Sequence, residues 1–194
     1  MLGAEPRSAN GNLVLFSSGP LWPSVEHSSA AKLWRPGAAQ LRHVALNDPA
    51  TLVVTDFTRE PPATVTEDRP IDDALQDMMV AGVRALVVVR GDLVSGLVTS
   101  YDVQGERPLQ FLRASSYTRH DEIEVRHIMT PWDRVPKLDW SRLSVARVRD
   151  VADLFSKWDA SHLVVVEYVM NNGVFVRALI SRTRLHRQLG HQID

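Results

Sequence analysis

The order helix, strand, turn, strand, short helix occurs twice along this chain, and a repeat of this kind constrains the architecture more than any local pattern does. In the first copy, apolar residues at helical spacing predict one buried helix face: Ile71, Ala74, Leu75, Met78 and Met79. Pro70 suits the first helical turn, Asp68 is the expected N-terminal cap, and Gly82 is expected to end the helix. The first copy therefore begins with an amphipathic helix.

A β-hairpin is predicted directly after this helix. Residues 85–89 read ALVVV, a β-branched run short enough for a buried strand. Residues 90–92 form the turn, and residues 93–99 form the partner strand. The sequence SYDV, from Ser100 onward, is expected to start a short helix.

The second copy follows the same order. Ser144 is expected to cap a helix whose apolar residues face one way: Val148, Val151, Ala152, Phe155 and Trp158. Residues 162–166, HLVVV, are the buried strand, NNG at 171–173 is the turn, and FVRALIS is the partner strand. A closing helix is predicted over residues 182–190, with Gly190 at its C-terminal end.

The two copies superpose in sequence, with residues 85–89 on 162–166 and residues 96–102 on 178–184. We therefore predict an α/β (α+β) protein built from two β-α-β-β-α units. The predicted segments are an N-terminal arm at 1–50, a first unit at 51–106, a linker at 107–122 and a second unit at 123–194.

The N-terminal arm lacks a regular apolar period and is expected to be loosely structured. Only residues 38–46 suggest a short helix. Trp22 and Trp34 also lie in this arm, and we expect both rings to pack on the body of the protein or on a partner chain.

Composition excludes several classes of protein. The chain has no Cys, so a disulfide framework, a thiolate nucleophile and a zinc ribbon are excluded. Its formal charge of −1 gives no overall attraction to nucleic acid or to anionic lipid, so neither partner is expected. No apolar stretch reaches the roughly 18 residues of a membrane span, and the apolar run at residues 13–16 is too short for the core of a signal peptide. We expect a cytoplasmic protein.

Sequence motifs at the ends of the repeats resemble those of tandem CBS domains, the cystathionine β-synthase type. GLVTSYD at residues 96–102 resembles the G-h-x-[ST]-x-x-D nucleotide motif of this family. EVRHIMTP at 124–131 resembles the lead-in to a second unit, and TLVVTDF at 51–57 holds the equivalent place before the first. The resemblance implies a free-standing, pseudo-two-fold pair whose clefts bind adenosine compounds.

The chemistry of the first motif suits a nucleoside. The carboxylate of Asp102 can accept hydrogen bonds from both ribose hydroxyls, and Thr99 offers a hydroxyl to a ribose or phosphate oxygen. Backbone N–H groups at the helix start near Ser100 suit a phosphate, and Gly96 permits close backbone approach. The edge of adenine would be read by backbone groups of the first unit, at Thr64, Val65 and Ala85. The alternative is that Thr99 and Asp102 only cap the short helix.

The second unit departs from the motif. Its ALISRTR has Ala178 in place of glycine, Ser181 in place of threonine and Arg184 in place of Asp102. Arginine cannot accept hydrogen bonds from ribose, so a separate second nucleoside site is in doubt. Arg182 and Arg184 belong to a basic cluster that could hold the phosphates of a nucleotide whose ribose is bound by Asp102: Arg177, Arg182, Arg184, His186, Arg187 and His191. The alternative is a solvated basic helix face.

A catalytic or metal site finds no support in the sequence. The chain has no HExxH pair, no G-x-S-x-G elbow and no carboxylate pair at acid/base spacing. His162 opens a buried strand and is expected to be a core or cleft-lining residue. We therefore predict no catalytic residue, no metal and no cofactor.

Two functions remain open. The chain is either a regulatory sensor that binds ATP, ADP or AMP and signals to an unknown protein partner, or a structural interaction module with empty clefts. In both cases the family resemblance implies a homodimer formed by apolar helix faces around Met78, Met79, Phe155 and Trp158.

Overall fold

The structure is a computed structural model that describes residues 42–170 and 173–190. Its strands are β1 (Thr55–Asp56), β2 (Thr64–Thr66), β3 (Ala85–Arg90), β4 (Leu93–Thr99), β5 (Thr130–Pro131), β6 (Lys137–Asp139), β7 (His162–Val169) and β8 (Gly173–Ser181). Its α-helices are α1 (Ile71–Ala81), α2 (Ser100–Gln104), α3 (Arg107–Ala114), α4 (Val125–Ile128), α5 (Trp140–Leu143), α6 (Val148–Lys157) and α7 (Arg182–Leu189). Two 3-10 turns cover Ala50–Val53 and His120–Glu122.

The predicted repeat is present as β2-α1-β3-β4-α2 and β6-α6-β7-β8-α7. In each unit a parallel pair of strands flanks the long helix and is followed by an antiparallel hairpin. Both hairpins carry a register shift at the same repeat position, between Val88 and Val89 and between Val165 and Val166. The mixed α+β fold class predicted from the sequence is therefore confirmed.

Helix α1 begins and ends for local reasons. Ile71, Ala74 and Met78 are its buried residues, as the helical period predicts, whereas Leu75 is half-buried and Met79, predicted on the same face, is 62% exposed. It ends at Gly82, where φ is +66° and the backbone N–H bonds to carbonyls of the last turn. The predicted Asp68 cap is wrong, because the residue before the helix is Pro70 and no side chain caps this end.

Helix α6 starts later than the sequence suggested. Ser144 does not cap it, because this serine closes the preceding helix α5. The carboxylate of Asp150 instead accepts a 2.8 Å hydrogen bond from the backbone N–H of Arg147, which stabilises the first turn of α6. Trp158 lies beyond the last helical residue and is 38% exposed, so it is not part of the buried face.

The short lead-in strands exchange sheets. Strand β1 precedes the first unit but pairs with β8 of the second, giving the order β1-β8-β7-β6. Strand β5 precedes the second unit but pairs with β4 of the first, giving the order β2-β3-β4-β5. Each sheet is thus completed by residues that lie next to the other unit in sequence.

The sheets pack on one another through alternate residues of their central strands. In β3, Ala85 and Val87 face the other sheet, whereas Leu86 and Val88 pack under the helices. Strand β7 divides in the same way, with Val164 between the sheets. Because successive side chains point to opposite faces of a strand, an uninterrupted apolar run such as HLVVV is needed to fill two cores at once.

The linker and the N-terminal arm differ from the prediction in part. Residues 107–114 of the predicted linker form helix α3, for which no helix was predicted. No helix is present at residues 42–46, the described part of the suggested 38–46 helix. Trp22, Trp34 and most of the NNG turn lie outside the described residues, and the exact segment boundaries stay a prediction.

Candidate functional site

A cleft of about 580 Å³ lies where the end of β4 in the first unit faces the start of β7 in the second. The first unit contributes the β4–α2 corner, and the second contributes the segment before β7 and the start of α7. Its lining residues are Leu97, Thr99, Tyr101, Asp102, Arg107, Thr130, Arg134, Val135, Pro136, Asp159, Ala160, Ser161, His162, Arg182 and Thr183. The cleft is therefore composite, with walls from both repeats.

Thr99 and Asp102 cap helix α2 within this cleft. The Asp102 Oδ2 atom accepts hydrogen bonds from the backbone N–H and the hydroxyl of Thr99, both at 2.8 Å. The Thr99 hydroxyl in turn lies 3.3 Å from the Asp102 backbone N–H, completing a reciprocal capping box. These bonds fix the carboxylate at the cleft wall, so the capping interpretation describes part of its role.

The other Asp102 oxygen, Oδ1, forms an ion pair with Arg107 at 2.8 Å. The same guanidinium nitrogen, Nη1, donates to the Ile128 carbonyl at 2.7 Å and to the Thr130 hydroxyl at 3.2 Å. The Asp102 side chain is 12% exposed, whereas that of Arg107 is 45% exposed. Arg107 is therefore the partner of the carboxylate oxygen that does not cap α2.

The opposite wall carries a neutral histidine. His162 is buried, and burial lowers its pKa to about 4, with a smaller contribution from the charge of Arg84. Its Nδ1 atom lies 3.0 Å from the Ser161 hydroxyl. Because the ring is uncharged near neutral pH and its Nδ1 atom is paired with Ser161, the Nε2 atom is left to donate or accept one further hydrogen bond. Its predicted place in the core or cleft wall is confirmed.

Three arginines and two carboxylates set the charge of the cleft. Arg107, Arg134 and Arg182 line it together with Asp102 and Asp159. The Arg182 Nη2 atom donates to the carbonyl of Phe155 in the last turn of α6 at 2.5 Å and to that of Trp158 just after the helix at 2.8 Å, so this side chain is tethered. Arg134 is exposed. The cleft thus has a positive excess that suits an anionic ligand.

Most of the remaining site residues proposed from sequence lie elsewhere. Thr99, Asp102 and Arg182 line the cleft, whereas Thr64, Val65, Ala85, Gly96, Ser100, Ser181 and Arg184 do not. Ala85 packs between the sheets, and Ser181 caps helix α7 by accepting from the Arg184 backbone N–H. The cleft that Asp102 lines is completed by residues of the second unit rather than by the expected residues of β2 and β3.

Gly96 has a structural explanation. A Cβ atom at this position would lie 2.6 Å from the backbone oxygen of Thr130 and 3.0 Å from the sulfur of Met129. Those atoms belong to the β5 lead-in, which pairs with β4 at this point. The glycine therefore makes room for a strand of its own chain.

The predicted basic cluster is not one surface. Arg184 donates to the Thr55 hydroxyl at 2.8 Å, so the structure does not bring this arginine to Asp102. Arg177 forms ion pairs with Asp56 at 3.2 Å and Glu167 at 3.0 Å. Of the other members, His186 and Arg187 are exposed on α7, and His191 lies outside the described residues.

Sequence reasoning missed Arg107, Arg134, Ser161 and Asp159. Ser161 precedes the position that superposes on Ala85, so the repeat alignment could have marked it for the site. Arg107 and Arg134 lie outside the superposed segments, and no spacing rule relates either residue to Asp102.

Comparisons with known proteins agree with this architecture. Residues 54–106 match the CBS domain family. This segment is a CBS domain. No curated protein matches the chain.

Solved structures extend the likeness to both units. A protein with CBS domains from Burkholderia ambifaria is 24% identical, with a TM-score of 0.50 over 69% of this chain and 85% of that one. A conserved protein from Pyrococcus horikoshii is 16% identical, with a TM-score of 0.52 over 78% of this chain and 98% of that one. At these identities the likeness shows the fold, which is that of a CBS pair.

A GMP reductase from Trypanosoma brucei also matches, at 15% identity and a TM-score of 0.51, over 74% of this chain but only 28% of that one.

Within residues 42–170 and 173–190, no group of three or more potential metal ligands occurs. In the same residues, no helix has the length and apolar character needed to cross a membrane.

Proposed function

We propose that this CBS pair is a regulatory module that binds an adenosine nucleotide, ATP, ADP or AMP, in the composite cleft. The observation that carries the proposal is a cleft lined by the Asp102 carboxylate, the neutral His162 ring and three arginines, one from the linker helix and two from the second unit. Binding of the nucleotide would change the relative orientation of the two units, and a protein partner would recognise that change. A non-catalytic role and a cytoplasmic location are parts of this proposal.

The size and chemistry of the cleft support a nucleotide. Its volume of about 580 Å³ lies within the range of about 300–1,000 Å³ that is usual for ligand pockets. Pro136 offers apolar surface to the face of a base, while the Nε2 atom of His162 can form a hydrogen bond with its edge. Arg134 and Arg182 lie where phosphates would find positive charge, and charge-assisted contacts are stronger than neutral ones.

A second candidate is an interaction module whose cleft holds no ligand. One observation favours it: both oxygens of Asp102 already have partners inside the protein, Thr99 and Arg107. A carboxylate satisfied in this way stabilises the fold without a ligand. The two candidates therefore differ in whether Asp102 has a further role beyond the cap and the ion pair.

Titration calorimetry with adenosine, AMP and ATP separates the two functions. The sensor binds, with affinity that rises with the number of phosphates, and Asp102→Ala weakens every ligand by about 1–3 kcal/mol because ribose hydroxyls lose their acceptor. Asp92→Ala, in the exposed β3–β4 turn, is the matched control. Circular dichroism checks that loss of the α2 cap has not unfolded the variant. Absence of binding by the wild type supports the interaction module, and equal binding by wild type and Asp102→Ala refutes the ribose role.

We also propose that the CBS pair forms a homodimer through exposed apolar residues of its helices. The residues must be revised from the sequence expectation, because Met78 and Phe155 are buried in the two cores. Met79, 62% exposed on α1, and Trp158 are accessible. Multi-angle light scattering should give twice the chain mass, and Met79→Lys should shift the balance to monomer. A monomeric wild type at micromolar concentration would refute the dimer.

A further inference from the structure

We propose that Arg107 competes with the ligand for Asp102, and that ligand binding releases the linker helix α3 from the cleft. This inference rests on the proposed function, since it describes how the same site would be regulated. Arg107 is the first residue of α3, and Asp102 lies in α2. Their 2.8 Å ion pair joins the linker helix to the residue expected to bind ribose.

One oxygen of the Asp102 carboxylate can exchange Arg107 for a ligand hydroxyl. Oδ2 is held by two hydrogen bonds from Thr99 that cap α2, and these bonds can persist when a ligand is present. Oδ1 faces Arg107. With the carboxylate side chain only 12% exposed, a ribose hydroxyl reaches Oδ1 by taking the place of the guanidinium.

Arg107 retains two hydrogen-bond acceptors when its contact with Asp102 is broken. Its Nη1 atom lies within hydrogen-bond distance of the Asp102 carboxylate, the Ile128 carbonyl and the Thr130 hydroxyl. A guanidinium Nη atom carries only two hydrogens, so three acceptors share two donors. Loss of the contact with Asp102 leaves one hydrogen for each remaining acceptor. The arginine can therefore change partners at low cost, which is the property required of a switch.

Helix α3 is otherwise attached mainly by partly buried residues, since Phe111 and Leu112 pack against the edge of the core of the first unit. Pro108 is its only buried residue, and Leu109 is 56% exposed. Phe111 stacks on His127 of α4 with ring centroids 4.3 Å apart. When Arg107 leaves Asp102, α3 loses its tie to α2 but keeps its ties to α4 and β5. The exposed surface of α3 thereby reports whether the cleft contains a ligand.

Arg107→Gln tests the competition. Adenosine is the probe because it has no phosphate that could gain from the arginine. Removing the competitor should raise adenosine affinity about threefold to fivefold, the effect of losing a partly exposed ion pair. Arg113→Gln, exposed in the last turn of the same helix, is the matched control and should leave the affinity unchanged.

Hydrogen exchange on the wild type supplies a second readout that needs no variant. Amides of residues 107–114 should exchange faster when adenosine is bound. In Arg107→Gln they should exchange fast already and respond no further.

The measurements distinguish a failure of this inference from a failure of the proposed function. Weaker adenosine binding by Arg107→Gln makes Arg107 a ligand contact and overturns the competition, while the nucleotide function stands. Unchanged or slower exchange in α3 of the bound wild type overturns the release. If neither wild type nor variant binds adenosine, AMP or ATP, the proposed function fails and the inference fails with it.

Discussion

Replacing Gly96 by alanine tests the exchange of lead-in strands directly. The new Cβ atom would lie 2.6 Å from the Thr130 carbonyl oxygen, whereas ordinary contact begins at 3.4 Å. The β4 or β5 backbone must therefore move by about 0.8 Å, and overpacking of this kind costs about 1–3 kcal/mol. Alanine also lowers the conformational entropy of the unfolded chain, and this effect offsets about 0.4–1 kcal/mol of the overpacking cost. The expected net loss of unfolding free energy is about 1–2 kcal/mol.

Thermal and urea unfolding of Gly96→Ala measure this loss. For a domain of this size, about 1–2 kcal/mol corresponds to a fall in Tm of about 2–8 °C. Leu93→Ala is the control, because Leu93 is in the same strand but 75% exposed, and its effect should stay below about 0.5 kcal/mol. A glycine that served only ligand approach would allow alanine without loss of stability. An unchanged unfolding midpoint would therefore refute the close packing of β5 on β4.

Three further predictions concern charge. Because the pKa of His162 is lowered to about 4, the unfolded chain binds more protons below about pH 6.5, so stability should fall by about 2 kcal/mol between about pH 7 and pH 5. Urea titrations of His162→Gln should show a smaller fall, and an equal fall would contradict the assignment. Arg177→Met should cost about 2 kcal/mol in chemical unfolding, since Asp56 loses its cation, and a neutral result would show that this ion pair is not stabilising. Arg134→Gln should weaken ATP more than adenosine in calorimetry, whereas the exposed Arg187→Gln should not; equal losses for both ligands would remove the phosphate role.

Local sequence patterns were sufficient to predict the repeated order of helix and hairpin. The helical period around Ile71 and the β-branched runs before each turn predict α1 and both hairpins, because these elements are formed by residues close in sequence. Helix starts were predicted less well. Asp68 and Ser144 have the residue types of caps, yet neither caps the helix assigned to it, since the chain direction at those points is set by neighbouring elements.

The candidate site, too, was predicted from sequence where its contacts are local and was missed where they are long-range. The capping box joins Thr99 and Asp102, which are three positions apart, and is visible in the motif. The pairing of Asp102 with Arg107 depends on where the linker forms a helix, and the contact of Arg184 with Thr55 joins residues 129 positions apart. No periodicity within one segment encodes such contacts.

The sequence by itself determined that two similar units form, that each has an apolar strand buried on both faces, and that one motif carries a carboxylate while the other carries an arginine. Tertiary structure alone decided which residues share the cleft. The lead-in strands cross to the opposite sheets, and the sheets pack on each other through Ala85, Val87 and Val164. This packing brings Arg182 of the second unit, and not Arg184, to the cleft that Asp102 of the first unit lines. The physical reason is that side-chain direction alternates along a strand and turns through about 100° per residue in a helix, so positions two residues apart at the start of α7 face different neighbours once the sheets have packed.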